Sequence, residues 1–242
     1  MTLRALSIAA SGGRALLRQI DTIAHNLSNA NSVGFHRSRV NFADLVGAGV
    51  RTQSTEQLFD PGKLQATQRE LDLAIEGEGF LRVQLPDQSV AFTRAGNLSL
   101  DSRGNLATSD GYLIDPPLNV PAAISKIVID PSGLVQGFDA QQPEALQPLG
   151  QIEITRFGNP SGLQQVGSGL YRATPAAGER LDGPPGQGLG LIRQGHLEQS
   201  NVDAIRELVD LIQAQRAFEM NSRTIQAADE ILQNVNNLRR KS

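Results

Sequence analysis

The chain has 242 residues, of which 39% are hydrophobic and 19% are charged, and its formal net charge is −3. This charge provides no basic field to neutralise phosphates, so we do not expect nucleic acid as a partner. The absence of cysteine excludes disulfides, thiol catalysis and cysteine metal ligands. No apolar run approaches the roughly 20 residues that span a bilayer, and Ser7, Ser11, Arg14 and Arg18 interrupt the stretch that a secretory signal would keep apolar. We therefore expect a cytosolic protein or one exported without a cleaved signal.

The first predicted element is a helix from residue 3 to about residue 30. Its apolar residues follow steps of four and three, which place them on one narrow face suited to burial against another helix. We call these residues the N-terminal seam: Leu6, Ala10, Gly13, Leu17, Ile20, Ala24 and Leu27. The helix ends in the polar run 26–32, where Asn and Ser favour caps and turns. Within this run, Asn29 and Asn31 either stabilise the turn or hydrogen-bond to neighbouring subunits.

The middle of the chain changes from a helical to a strand-like period. Residues 47–60 have few apolar anchors and are predicted to be a linker. From 61 to 195, short alternating segments are separated by regular Gly, Pro, Asn and Asp turn signals. This pattern predicts a central all-β domain, either a sandwich or a barrel. Residues 178–190 are predicted to form an exposed loop, and residues 195–199 a last short strand.

The last predicted element is a helix of about forty residues from 202 to 242, for which Ser200 or Asn201 supplies the N-terminal cap. Its apolar face has the same spacing as that of the first helix. We call these residues the C-terminal seam: Leu211, Ala214, Phe218, Asn221, Ile225, Ala228, Leu232 and Val235. The chain is thus predicted to be an α+β protein with four parts. These parts are an N-terminal helical assembly segment (1–46), the linker (47–60), the central β domain (61–195) and a C-terminal helical assembly segment (196–242).

Neither predicted helix can bury its seam alone, so the two seams are expected to pair. From spacing alone, a helical hairpin within one chain and polymerisation between copies are equally open. In either arrangement, the terminal helices form the part of the chain that is suited to assembly.

The residues that could carry chemistry are few. Three acidic residues, Asp72, Glu76 and Glu78, lie close in sequence, and the histidines are His25, His36 and His196. The acidic group has no histidine or nucleophile beside it, so we interpret it as a solvated strand face and a turn. The histidines lack metal-ligand spacing, and the glycine-rich run 186–190 lacks the phosphate-loop pattern. We therefore expect no catalytic residue, no metal, no cofactor and no enzymatic activity.

Several characteristic motifs follow one another along the chain. They are Ala10-Ser11-Gly12, the run 26–35, Arg37, the runs 71–80 and 92–97, the run 197–202 and the run 215–222. In this order, and over nearly the whole chain, they resemble the signatures of the bacterial flagellar rod and hook protein family. Residues 158–163 and 215–233 most resemble the distal rod members of that family. Residues 47–60 are shorter than the corresponding stretch of those members, which leaves a proximal rod position open.

The resemblance implies an assembly mechanism. Terminal helices of many subunits would pack as coiled coils around an axial channel, with the β domain outside. The subunit would be exported unfolded by the flagellar type III apparatus, without a cleaved signal, into a periplasm-spanning rod that transmits torque from motor to hook. The implied partners are copies of the chain, other rod and hook proteins, the export apparatus and the surrounding basal-body rings, with no small-molecule substrate. The implied assembly interface comprises both seams together with Asn29, Asn31, Gly34 and Phe35.

Two further hypotheses come from other classes. One is a carbohydrate-binding or hydrolase β domain with helical oligomerisation arms. It would need aromatic platforms for a sugar, which are scarce in a chain with eight Phe, two Tyr and no Trp. The other is a self-contained α+β domain whose terminal helices pair within the monomer.

Overall fold

The computed structural model describes the backbone of residues 2–45, 49–139 and 146–241. Side-chain environments are described within these ranges except at 2–6, 44–45, 49–53, 229, 232 and 234–241. The chain forms two compact units. The helical unit comprises Met1–Ala30, Arg37–Leu58 and Val202–Ser242, and the β unit comprises Asn31–His36 and Phe59–Asn201. Each unit is therefore built from stretches that are separated in the sequence.

The helical unit contains α1 (Thr2–Ser28), β1 (Ser38–Leu45), β2 (Gly49–Gln57) and α2 (Ala204–Lys241). The two helices are antiparallel neighbours. Asn221 Nδ2 donates to Ala9 O at 2.8 Å near the start of α1, and Asn26 Nδ2 donates to Glu207 Oε2 at 3.2 Å near its end. The terminal helices thus pair within one chain, as the hairpin alternative predicted. Coiled-coil packing between copies remains a proposal.

The start of α2 is fixed by an acidic side chain. Asp203 Oδ1 accepts hydrogen bonds from the backbone N–H groups of Ile205 at 3.1 Å and Arg206 at 3.2 Å. These amides have no partner within the helix, and an aspartate before the first turn satisfies them and also faces the positive end of the helix dipole. The predicted cap at Ser200 or Asn201 is therefore wrong, and Asp203 takes that role.

The predicted linker at 47–60 is corrected by the structure. Over the described part of that range, β2 pairs with β1 in an antiparallel hairpin, from Ser38 opposite Gln57 to Leu45 opposite Gly49. Asn41 Nδ2 also donates to Glu56 Oε2 at 2.8 Å across the pair. The sequence of β2 is polar, which suggested a loop. However, its threonines favour extended backbone, and a strand can be polar when burial is not required of both faces.

The β unit contains sixteen strands and two short 3₁₀ helices within the described residues. The strands are β3 (Leu64–Ala66), β4 (Leu73–Glu76), β5 (Phe80–Gln84), β6 (Val90–Thr93), β7 (Leu98–Leu100), β8 (Leu106–Thr108), β9 (Leu113–Ile114), β10 (Ile124–Ile129), β11 (Leu134–Asp139), β12 (Leu146–Gln151), β13 (Ile154–Phe157), β14 (Gln164–Gly167), β15 (Leu170–Arg172), β16 (Arg180–Gly183), β17 (Leu191–Gln194) and β18 (His196–Glu198). The 3₁₀ helices are Pro160–Gly162 and Pro175–Ala177.

All strand pairs of the β unit are antiparallel across its described residues. Nine strands form the main sheet, in the order β14-β15-β6-β5-β9-β8-β7 with β13 and β16 joined through β5. A three-stranded sheet follows the order β10-β11-β12, and two pairs, β17-β4 and β18-β3, join distant parts of the unit. The α+β class and the central β domain are thus confirmed. The predicted loop at 178–190 is wrong over Arg180–Gly183, where β16 pairs with β13.

Two clusters of buried side chains form the core of the β unit. The larger cluster is aliphatic and includes Leu73, Leu81 and Ile154, each at most 1% exposed. The smaller one is aromatic and contains Phe80, Phe92, Phe157 and Tyr171, which meet edge to face, as in the 4.8 Å contact between the Phe92 and Phe157 rings. Edge-to-face contacts add to the free energy gained from burying these rings. Four of the ten Phe and Tyr side chains are thereby buried in the core of the β unit.

Candidate assembly interface

The N-terminal seam is divided between two environments. Gly13 is buried and Ile20 and Leu27 are half-buried, whereas Ala10, Leu17 and Ala24 are exposed, Leu17 to 45%. The three exposed residues are seven positions apart, so they form one row along α1. The remaining member, Leu6, lies outside the residues whose side chains are described. One half of the predicted seam thus packs within the chain, and the other half faces solvent.

The C-terminal seam packs within the chain over its described length. Ala214 is 4% exposed. The half-buried members are Leu211, Phe218, Asn221, Ile225 and Ala228. Leu232 and Val235 lie outside the residues whose side chains are described. This face of α2 lies opposite α1, because Gly13 contacts it so closely that an added Cβ would lie 3.0 Å from Asn221 Nδ2. A glycine in α1 therefore permits the close approach of the two helices.

A buried carboxylate that the sequence analysis did not identify joins three elements of the helical unit. The Glu207 side chain is 1% exposed, and its Oε1 lies 2.6 Å from Arg37 Nε, while its Oε2 accepts a hydrogen bond from Asn26 at 3.2 Å. Asn26 in turn donates to Ser38 O at 2.8 Å and accepts from Ser38 N at 2.9 Å. Because a buried charge needs a partner, this network fixes α1, β1 and α2 relative to one another. Asn26 and Glu207 are 181 residues apart in sequence, so no local pattern reveals that they pair.

The predicted interface residues at and after the end of α1, Asn29, Asn31, Gly34 and Phe35, have different environments. Asn29 Nδ2 donates to His25 O at 2.9 Å, so this side chain satisfies a carbonyl at the end of the helix. Asn31 is exposed. Gly34 and Phe35 are buried within the β unit, where the Gly34 N–H donates to Glu198 O at 2.8 Å. The role of all four residues in an assembly interface stays a prediction, but Asn29, Gly34 and Phe35 each have a structural role within the subunit.

A second buried carboxylate, Glu198, organises the β unit around the segment Asn31–His36. Its side chain is 1% exposed, with Arg94 Nη1 3.2 Å from Oε2, His36 Nε2 3.6 Å from Oε1 and the Gly62 N–H donating to Oε1 at 2.8 Å. Burial raises the pKa of Glu198, but His36, the positive charge of Arg94 and the Gly62 amide together bring it below its ordinary value. Glu198 is therefore a buried anion with three partners on different segments.

The residues considered for chemistry do not form a catalytic centre. Asp72 is 1% exposed, so its interpretation as part of a solvated strand face is wrong: it lies in a β-bridge opposite Asn97. Glu76 is paired with Arg193 at 2.6 Å, and Glu78 is 78% exposed. Each acidic side chain thus has its own environment.

The remaining candidates also have structural environments. His36 is buried beside Glu198, His196 is half-buried and His25 is exposed. In the glycine-rich run, the amides of Gly186 and Leu189 donate to carbonyls of the same turn, so they are not directed at a phosphate. Among the residues that the structure describes, no three His, Asp or Glu side chains are placed to hold a metal ion. Within that same part of the chain, neither helix is apolar enough over a sufficient length to cross a membrane.

Two protein-family models match the chain. The model described as the flagellar hook protein FlgE/F/G D1 domain matches residues 74–137, within the β unit. The model described as the flagellar basal body rod FlgEFG protein C-terminal region matches residues 193–238, which include most of α2. The matched regions therefore cover parts of both the β unit and the helical unit.

Similarity to individual proteins extends over the full length. The chain is 41% identical to the flagellar basal-body rod protein FlgG of Borreliella burgdorferi, covering 99% of this chain and 100% of the relative. It is 38% identical to FlgG of Caulobacter vibrioides, covering 98% and 100% of the two chains, and 36% identical to FlgG of Bacillus subtilis, again covering 98% and 100%. These alignments span 262 to 266 positions, more than the 242 residues of this chain, so the relatives contain residues that this chain lacks.

Proposed function

Because this chain belongs to the family of flagellar basal-body rod proteins that includes FlgG, we propose that it is a structural subunit of the distal rod and polymerises through its terminal helices. The observation that carries the proposal is the full-length similarity to FlgG proteins, at 36% to 41% identity to the three relatives above. The family is structural and not enzymatic. The resulting shaft would transmit torque from motor to hook and line the export channel.

The helical unit supports this function through its rigidity. A shaft under torque needs subunits whose elements do not slide. The hydrogen bond from Asn26 to the buried Glu207 and the bond from Asn221 to Ala9 O connect α1 and α2 at two points along their length. Displacing one helix along the other would leave the buried Glu207 carboxylate without its hydrogen bond from Asn26, and an unsatisfied buried polar group costs about 1–3 kcal/mol. The pair of helices therefore acts as one stiff building block.

The partners and location follow from this role. The subunit would contact copies of itself, other rod and hook proteins and the surrounding basal-body rings. It would reach the periplasm-spanning rod through the flagellar type III apparatus without a cleaved signal peptide. FlgG is the name of the relatives reported above, which favours the distal over the proximal position. The carbohydrate-binding or hydrolase alternative is not supported, since the clustered aromatic side chains on which a sugar could stack are buried in the core of the β unit.

The test is deletion of the gene in its native bacterium, followed by purification of basal bodies and electron microscopy. We expect truncated rods that lack the hook, and loss of swimming. A copy supplied in trans should restore both and should be detected in isolated rods by mass spectrometry. Complete basal bodies and normal swimming in the deletion strain would contradict the proposed function.

A further inference from the structure

The segment Asn31–His36 belongs to the β unit, although the chain on both sides of it belongs to the helical unit. It is where the chain first enters the β unit and leaves it again, between α1 and β1. Two contacts with Glu198 hold this segment. The Gly34 N–H donates to Glu198 O at 2.8 Å, and the His36 ring faces the Glu198 carboxylate. Only the second contact involves a side chain that ordinarily titrates near neutral pH.

The two ring nitrogens of His36 both face acceptor oxygens in a buried site. Nδ1 lies 3.1 Å from Gly34 O, a carbonyl that can only accept, and Nε2 lies 3.6 Å from Glu198 Oε1. Among the residues that the structure describes, no group donates a hydrogen bond to Nε2. A neutral ring has one bare nitrogen, which would face an oxygen with no proton between them, whereas the imidazolium ring presents an N–H to both oxygens. The doubly protonated ring is therefore the form that fits this site.

The other titratable groups around His36 keep their charge when the ring titrates. Burial raises the pKa of Glu198, but the neighbouring His36, the Arg94 charge and a backbone amide together bring it below its ordinary value, so the carboxylate is ionised near neutral pH. Arg94 Nη1 lies on the other oxygen of that carboxylate, 3.2 Å from Oε2. Tyr171 packs against Phe59, whose ring centre lies 5.1 Å from that of His36, and a tyrosine ordinarily ionises only near pH 10. Of these groups, only His36 gains or loses a charge near neutral pH.

We propose that His36 is a proton-dependent latch that holds the segment Asn31–His36 in the β unit. With two ring protons, the side chain presents an N–H to Gly34 O and to the Glu198 carboxylate. After the loss of one proton, a bare nitrogen faces an oxygen in a buried site, and the segment is held less firmly. Because the held segment favours the protonated ring, it stays closed below the pH at which the ring loses its proton and opens more often above that pH. The latch acts within one subunit, so it does not depend on the proposed function.

Hydrogen exchange of the purified subunit tests the latch, because the Gly34 N–H is protected by its bond to Glu198 O. Exchange would be measured by mass spectrometry at about pH 5.5 and about pH 8.5, on either side of the ordinary titration of histidine and above that of glutamate. Protection is expressed relative to the same peptide in an unfolded chain, so that the chemical effect of pH on exchange cancels. We expect the protection of residues 31–36 to fall by about tenfold or more from the lower to the higher pH. The Ile152 amide, which donates to Gly133 O in the same unit, is the internal reference and should keep its protection.

Two variants identify the group that titrates. His36→Gln keeps an N–H to donate but has no proton to lose in this range, so its protection at residues 31–36 should be the same at both pH values. His196→Gln is the matched control, because His196 is half-buried in β18 beside the same segment of chain as Glu198, and this variant should keep the wild-type pH dependence. Equal protection of the wild-type segment at both pH values would overturn the latch, as would a pH dependence that persists in His36→Gln or disappears in His196→Gln. If His36→Gln does not fold, the wild-type protein and His196→Gln still decide the question.

Discussion

At the scale of single residues, each unit contains a buried glutamate that contacts several segments of the chain. Glu207 joins Asn26 and Arg37 in the helical unit, and Glu198 joins Arg94 and His36 in the β unit. Both carboxylates are 1% exposed. A buried ion pair adds little compared with an apolar pair of similar volume, but removing one partner leaves the other charge buried and unpaired. These glutamates therefore specify which segments meet.

Glu198→Gln should destabilise the β unit in a pH-dependent manner. The pKa of Glu198 lies below its ordinary value of 4.5 in the folded state, so its contribution is present above pH 4.5 and is lost as the pH falls through the folded pKa. We expect the free energy of unfolding to fall by about 3 kcal/mol at pH 7, because Arg94 loses its counter-charge. The difference from wild type should shrink between pH 5 and pH 3.

The measurement is urea unfolding followed by tyrosine fluorescence. Tyr112 and Tyr171 are the only tyrosines, both belong to the β unit and the chain has no Trp, so this signal reports the β unit. Glu78→Gln is the matched control, because that side chain is 78% exposed. An equal loss of stability at pH 7 and pH 3 would contradict the assigned role of the Glu198 charge.

Gly34→Ala should cost far more than an alanine at a comparable glycine. Gly34 has φ of +63°, and a Cβ there would lie 2.5 Å from the backbone of Arg94 and Ala95. Gly111 also has a positive φ, +87°, but a Cβ there meets open space. We expect a loss of about 1 kcal/mol for Gly111→Ala, from backbone conformation alone. For Gly34→Ala, where the segment Asn31–His36 must also move, we expect about 3 kcal/mol or more. The same tyrosine signal would measure the free energy of unfolding of both variants. Similar losses would show that contact of the added Cβ with the backbone of Arg94 and Ala95 is unimportant.

At the scale of elements, the two seams should respond differently to charge. Leu17 is 45% exposed, so Leu17→Asp should change the stability of the helical unit by less than about 0.5 kcal/mol. Ile225 is half-buried, so Ile225→Asp should lower it by about 2 kcal/mol or more. Both changes should block incorporation into rods, the first at contacts between copies and the second by separating α1 from α2.

Far-ultraviolet circular dichroism of the purified subunits would measure the helical unit, while tyrosine fluorescence should show the β unit folded in both variants. Leu17→Ala is the control that shortens the side chain without adding charge. If Leu17→Asp were incorporated into isolated rods at the wild-type level, the exposed row of the N-terminal seam would not be part of the assembly interface.

Much of the element order could be predicted from the sequence, because it is set by local patterns. The steps of three and four residues gave α1 and α2 to within two residues at the described ends, and the turn signals gave the β unit. The strand β2 could not be predicted from its polar residues, because it is stabilised by pairing with β1. The partners of Glu207 and Glu198 depend on contacts between residues more than 100 positions apart, which no local spacing encodes. The division of the N-terminal seam into a buried and an exposed row likewise depends on where α2 packs.

At the scale of the whole molecule, limited proteolysis should distinguish paired from unpaired ends. Since α1 and α2 pair within one chain, we expect residues of both helices to remain protected in the purified monomer at low protease concentration. The masses of the fragments provide the measurement. Rapid trimming to a resistant core of about residues 60–195 would contradict this expectation, since it would mean that the ends become ordered only on assembly.

The order in which the chain is made gives the pairing of α1 with α2 a further consequence. The chain leaves the ribosome N-terminus first, so Thr2–Ser28 appears long before Ala204–Lys241. The apolar face of the first helix is therefore not covered by α2 until Ala204–Lys241 has emerged. An isolated amphipathic helix of this kind is only marginally stable in water. The helical unit can therefore close only after Ala204–Lys241 has emerged.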